Sequence, residues 1–210
     1  GGVTTEEGWI PDFSETFSGS TTACTSYTAE HAWTCSGTND LDADVSSLGG
    51  NFSGQGLRSQ TSGWNTSYAQ IDLGISRATG WYSFDAFVNA LADYSGAPFL
   101  QVCDDASCTN FAAINLARDG ASYNVSARIG EETYSLQAIS VQTPIKIELY
   151  LDNTAGAWEL WVGGVQASSG ANDPAFDGRY VKLGLQWHGD ADVYFDNFIF
   201  DADTRPSSQE

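Results

Sequence analysis

The chain has 210 residues and a mass of 22.5 kDa, enough for one large all-β domain that buries roughly 70% of its unfolded surface. Hydrophobic residues make up 41%, aromatics 13% and charged residues 17%, a composition that excludes intrinsic disorder. Eight Lys and Arg against 27 Asp and Glu give a formal net charge of -19, which disfavours nucleic acid and anionic lipid as partners, and no run approaches the roughly 18 apolar residues that cross a bilayer.

Residues 1–12 read as an N-terminal extension ahead of a first strand, Phe13 to Phe17. Strands follow at 56–60 and 69–75, then at Trp81-Tyr-Ser-Phe-Asp-Ala-Phe-Val88, whose apolar and polar residues alternate. Further strands fall at 99–103, 112–117, 122–129, 132–136, 144–151, 157–162, 180–187 and 193–200. Turn chemistry lies between them at Asp119-Gly120, Gly163-Gly164, Asp177-Gly178 and Gly189-Asp190. No window of a dozen residues carries a helical period, and no unit of 20 to 50 residues repeats. The pattern predicts an all-β fold, a jelly-roll β-sandwich of two stacked antiparallel sheets with little helix, over residues 13–201. Apolar periodicity stops after Asp201, so 202–210 reads as a tail or linker and the chain as part of a larger multidomain protein.

The four Cys fall into two local pairs, Cys24 with Cys35 and Cys103 with Cys108. No CxxC spacing or interleaved His suggests zinc, and disulfides within each pair are favoured over free thiols, implying an oxidising, extracellular compartment. Asn-x-Ser sequons at Asn51, Asn65 and Asn124 are sites that a eukaryotic secretory host would be able to glycosylate.

Period-two alternation assigns side chains to faces. In the strand from Tyr180 to His188, Val181, Leu183, Leu185 and Trp187 take the core face, leaving Tyr180, Lys182, Gln186 and His188 opposite. In the strand from Trp81, the polar face holds Trp81, Ser83, Asp85, Phe87 and Asn89. Phe99, Gln101 and Cys103 oppose Leu100 and Val102, and Arg58 and Gln60 share a face. If these strands are neighbours, Arg58, Gln60, Trp81, Asp85, Gln101, Tyr180, Lys182, Gln186 and His188 line one concave sheet face. Aromatic rings stack on the C–H face of a pyranose while amides and charged donors meet its hydroxyls, so such a surface suits a polysaccharide or other glycan.

The segments Phe13-Ser-Glu-Thr-Phe-Ser-Gly19, Trp81-Tyr-Ser-Phe-Asp-Ala-Phe-Val88 and Val193-Tyr-Phe-Asp-Asn-Phe-Ile-Phe200 resemble the first, middle and last strands of the concanavalin A-like lectin and glucanase superfamily, which includes laminin G-like modules and several polysaccharide lyases. The Glu-x-Asp-x-x-Glu strand of its laminarinase-like hydrolases is missing, and only Asp85 stands on the similar strand. Tyr180-Val-Lys-Leu-Gly-Leu-Gln-Trp-His188 resembles the Tyr-Phe-Lys-Ala-Gly-x-Tyr-Asn-Gln strand of alginate lyases, Arg58-Ser-Gln60 their Arg-Ser-Glu and Gln101-Val-Cys103 their Gln-Ile-His. The lyase Tyr then falls on Gln186 and the lyase His on Cys103, leaving His188 as a displaced base for β-elimination. Related carbohydrate-binding modules join a first-strand Glu and a last-strand Asp at a structural Ca2+. Glu15 and Asp196 match those places, and eighteen Asp against nine Glu supply short, hard carboxylates.

The expected function is a non-catalytic carbohydrate-binding or adhesion module of a secreted or cell-surface protein. The alternatives are a polysaccharide lyase, in preference to a glycoside hydrolase, and a structural spacer domain.

Overall fold

The computed structural model describes residues 9–17, 26–28, 31–42, 45–171 and 176–209. Among them the strands are, in chain order, β1 (Phe13–Glu15), β2 (Ser26–Thr28), β3 (Ala32–Ser36), β4 (Thr38–Asp42), β5 (Gly56–Thr61) and β6 (Asn65–Arg77). Next come β7 (Thr79–Leu91), β8 (Tyr94–Cys103), β9 (Phe111–Asp119), β10 (Ser122–Ile129), β11 (Glu132–Thr133) and β12 (Gln137–Ile139). The last are β13 (Ile145–Asp152), β14 (Ala157–Val162), β15 (Val165–Gly170), β16 (Gly178–His188) and β17 (Ala191–Asp201). The described helix is confined to two short 3-10 turns, Ser46–Leu48 and Pro206–Gln209.

Two antiparallel sheets stack face to face. One has eight strands in the order β15-β14-β13-β7-β17-β5-β4, with β1 also pairing β17. The other has nine, in the order β11-β10-β9-β8-β16-β6-β3-β2, with β12 also pairing β10. The expected all-β sandwich is the observed architecture.

Between the sheets lies one continuous core, filled by alternate residues of each strand: Tyr82, Phe84, Ala86 and Val88 of β7 meet Val181, Leu183 and Leu185 of β16. At its centre Phe84 and Phe195 of the eight-stranded sheet contact Phe99 of the nine-stranded one, with ring centroids 5.6 to 5.9 Å apart. A polar latch also crosses the core, where the Trp33 indole N–H on β3 donates to Glu15 Oε1 on β1 at 2.9 Å. Both residues are buried, so the carboxylate satisfies a donor that would otherwise be stranded there.

Three expectations need correction. Phe99 does not share the outward face of Gln101, because a bulge between Pro98 and Leu100 adds a residue and turns its ring inward. Trp187 and His188 exchange sides: a bulge between Leu185 and His188, with Trp187 at φ 56°, leaves Trp187 66% exposed and His188 wholly buried. The segment after Asp201 is no free linker, since Ser207 donates from N and Oγ to Glu148 and the Arg205 guanidinium lies 3.8 Å from the Trp161 ring centroid. The edge strands β2 and β4, the inner β3 and the short β12 and β15 were not anticipated, being brief or polar segments such as Thr38-Asn-Asp-Leu-Asp42. Cys103 and Cys108 are joined by a disulfide. Cys35 is also disulfide-bonded, while Cys24 lies outside the described residues.

Phe84→Ala opens a cavity where the two sheets meet and is expected to lower stability by about 3–5 kcal/mol. Urea denaturation checks this: the midpoint falls with an unchanged slope, whereas Trp187→Ala moves it by no more than about 0.5 kcal/mol.

Candidate functional site

The outward face of the nine-stranded sheet carries a polar row. Because Val181, Leu183 and Leu185 enter the core, Lys182, Gly184 and Gln186 take the other side of β16. Register sets Lys182 opposite Gln101 on β8 and Gln70 on β6. The row continues through Thr34 on β3 at one end and through Ala113 and Arg128 on β9 and β10 at the other. Tyr180 stands one step along, between Cys103 and Asp72, and Asp72 is clamped by Arg179 through two hydrogen bonds of 2.8 and 2.9 Å. Tyr68 faces Gly184, whose φ of 132° and closeness to β6 demand glycine: a Cβ there would lie 2.5 Å from the Ser67 carbonyl oxygen.

These outward polar groups are recessed. Lys182 is 9% exposed, Gln101 7%, Asn115 on β9 6% and Gln186 5%. The Lys182 ammonium sits 4.8 Å from the Tyr68 ring centroid and makes no ion pair among the described residues. Asn115 Oδ1 and Gln186 Nε2 are buried without a hydrogen-bond partner. An unmet buried polar group costs about 1–3 kcal/mol, so these two atoms, an acceptor and a donor on one face, stand to gain from a partner supplied from outside. At the rim, Gln70 Nε2 donates to the Ala106 carbonyl at 3.2 Å, tying the groove to the Cys103–Cys108 hairpin.

The structure brings Gln101, Tyr180, Lys182 and Gln186 together and separates the rest. Arg58, Gln60, Trp81 and Asp85 belong to β5 and β7, which pair with β17, β4 and β13 and never with β8 or β16. They face outward on the opposite side of the sandwich. There they serve the fold: Arg58 makes a bidentate pair with Asp192 at 2.9 Å, Trp81 stacks on Tyr150 at 4.7 Å, and Asp85 accepts from Asn197 Nδ2 at 2.8 Å. Gln60 lies opposite Asp192 and Thr38. His188 points away from the groove, with its Nε2 3.0 Å from the Ala97 carbonyl oxygen. Burial pushes its pKa down to about 4, against weaker opposing effects of the Ala97 and Pro98 carbonyls. It is therefore neither exposed nor placed to serve as a base at the groove. Tyr68, Gln70 and Asn115 were missed, although Ala69 and Ile71 facing the core already put Tyr68 and Gln70 outside.

The sequence matches no protein-family model and no curated protein. Its shape does match solved structures. Cellulose-induced protein Cip1 superposes with a TM-score of 0.58 at 16% identity, over 82% of this chain and 92% of that one. Domain 4 of AbnA, a GH43 extracellular arabinanase from Geobacillus stearothermophilus in complex with arabinotriose, gives 0.56 at 18% identity over 84% and 85%. The carbohydrate-binding module CBM66 from Bacillus subtilis gives 0.52 at 14% identity over 80% and 94%. The fold is a jelly-roll β-sandwich shared with these structures.

The expected calcium pair does not fit this jelly roll. Glu15 turns inward to the Trp33 indole, whereas Asp196, paired with the outward Asp85, accepts from the backbone N–H groups of Ser53 at 3.2 Å and Asn197 at 2.8 Å. The two carboxylates thus leave opposite faces of one sheet. Among the described residues no three His, Cys, Asp or Glu side chains gather as metal ligands. Burial, opposed by those two N–H groups and reinforced by Asp85, raises the Asp196 pKa to about 7.

His188 gives the jelly roll a measurable pH dependence. Its folded pKa lies below the ordinary 6.5, so the unfolded chain takes up a proton that the folded chain refuses. The stability this contributes is complete above pH 6.5 and is lost as pH falls towards 4, by at most about 3 kcal/mol. Denaturant titrations of wild type and His188→Gln from pH 8 to pH 4 should therefore converge on acidification, and curves that stay parallel would contradict the burial argument.

Proposed function

We propose that this chain is a non-catalytic carbohydrate-binding module that holds a polysaccharide along the groove on the outward face of its nine-stranded sheet. The observation that carries the reading is the set of recessed polar side chains there, Lys182, Gln101, Asn115 and Gln186, two of them with buried atoms lacking any partner. Amides and an ammonium are donors and acceptors suited to sugar hydroxyls, and Tyr68 and Tyr180 supply rings for the apolar face of a pyranose or furanose. Support also comes from the similar folds, one solved with arabinotriose and another described as a carbohydrate-binding module. The disulfides agree with a secreted or cell-surface location.

Binding is favoured over β-elimination by what stands in the catalytic places. The position of the lyase His holds Cys103, committed to Cys108, and that of the lyase Tyr holds Gln186. The displaced alternative, His188, faces the interior.

Affinity electrophoresis and calorimetry against arabinan, cellulose, xylan, alginate and pectin test the proposal. At least one polymer should bind, with Lys182→Ala and Gln101→Ala each weakening it about tenfold or more and Gln60→Ala, on the other sheet, leaving it unchanged. Silence across the panel would leave the chain a spacer, and a rising absorbance of unsaturated product would make it a lyase.

A further inference from the structure

The open end of the sandwich contains a second cavity that shares no residue with the groove. A pocket of about 550 Å³ opens here among the ends of β5 and β7, the start of β17, the β9–β10 hairpin and the segment at Val141 and Gln142. That volume lies within the ~300–1,000 Å³ of typical ligand clefts. Leu91 and Ala191 give it an apolar lining, and Asn89, Tyr123 and Asp190 supply polar groups.

Those polar groups are held in place yet keep free valences. Asn89 donates through Nδ2 to Asp192 at 2.9 Å, which leaves its Oδ1 as an open acceptor. Asp190 accepts the Gly63 N–H at 2.7 Å through Oδ1, leaving Oδ2 open. The Tyr123 hydroxyl has no described partner, while its ring is packed by the Arg118 guanidinium, 5.1 Å from the centroid. Arg118 is itself fixed by the carbonyls of Leu91 at 2.6 Å and Gly120 at 2.8 Å. Gln142, also lining the pocket, is held at φ 53°, a conformation rare for a non-glycine residue, with its N–H bound to the Val88 carbonyl at 2.8 Å.

An aromatic pair outside the lining is tied to it through Gly63, whose N–H donates to Asp190. Trp64, 61% exposed, follows Gly63 directly and packs edge-on against Tyr94 with centroids 4.6 Å apart. Tyr94 stands opposite Arg118 in the β8–β9 register. A large indole left in water beside open acceptors and a hydroxyl matches the two-sided character of a sugar ring, whose C–H face stacks and whose vicinal hydroxyls hydrogen-bond.

We propose that this pocket is a second binding site, taking a neutral sugar residue or chain end that stacks on Trp64 and hydrogen-bonds to Asn89, Asp190 and Tyr123. Neutrality follows from the charges left over: Asp192 is taken by Arg58 and Asp93 pairs with Arg118, so an anionic sugar would meet the carboxylate of Asp190 with no spare cation in the lining. The inference takes its ligand class from the reading of the chain as a carbohydrate-binding module, but its residues are independent of the groove.

Calorimetric titration with the methyl glycosides of glucose, galactose, xylose and arabinose, and with glucuronate as the anionic control, tests it on the intact chain. At least one neutral glycoside should bind, glucuronate should not, and Trp64→Ala and Tyr123→Phe should each weaken binding at least tenfold while Gln166→Ala, at an exposed position on β15, leaves it unchanged. Absence of binding by every neutral glycoside overturns the pocket proposal. So does binding that survives Trp64→Ala and vanishes in Lys182→Ala, a result that would assign the sugar to the groove and leave the groove reading intact. Unchanged melting temperatures of the variants confirm that the comparison is between folded proteins.

Discussion

The contact of Phe84, Phe99 and Phe195 fixes the rest of the molecule. These rings join β7 and β17 of one sheet to β8 of the other across the middle of the core. Phe99 turns inward at the bulge beside Pro98, and alternation from Leu100 along β8, with that of Val181, Leu183 and Leu185 along β16, puts Gln101, Lys182 and Gln186 outside. The groove is thus a consequence of packing. Its polar side chains are placed by the apolar residues between them, and Gly184 keeps the floor between Lys182 and Gln186 free of a side chain.

Charge reinforces the division into two faces. Among strand residues of the nine-stranded sheet the carboxylates are Asp72, Asp119 and Glu132, and that sheet carries five of the eight Lys and Arg: Arg77, Arg118, Arg128, Arg179 and Lys182. The strands of the eight-stranded sheet hold ten carboxylates, Glu15, Asp40, Asp42, Asp85, Glu148, Asp152, Glu159, Asp192, Asp196 and Asp201, against Arg58 and Lys146. In a chain with net charge -19, the groove is therefore the face on which an incoming ligand meets least negative field.

Much of this was legible in the sequence, and the failures have definite physical causes. Alternation located the strands and gave the correct face for Gln101 and Lys182, because side-chain direction has period two wherever the ladder is regular. It failed at Phe99, Trp187 and His188, where bulges break that period; Pro98 adjoins the first and Gly189 follows the second, signals that alternation by itself does not read. Sheet membership was the larger gap. Arg58, Trp81 and Asp85 have the alternation of groove residues, yet β5 and β7 pair with β17, and pairing between distant segments leaves no local trace in composition. Glu15 carried the pattern of a metal ligand, but the partner that claims it, Trp33, lies on a strand the alternation did not reveal.

Backbone amide shifts measured by NMR during titration with an oligosaccharide of whichever polymer binds most tightly would test the central claim most directly. The account predicts perturbations concentrated at 68–70, 101, 115 and 180–187, the outward row of the nine-stranded sheet. Perturbations centred instead on 58–60, 81–85 and 192–196 would contradict it, for they would put the ligand on the other side of the body.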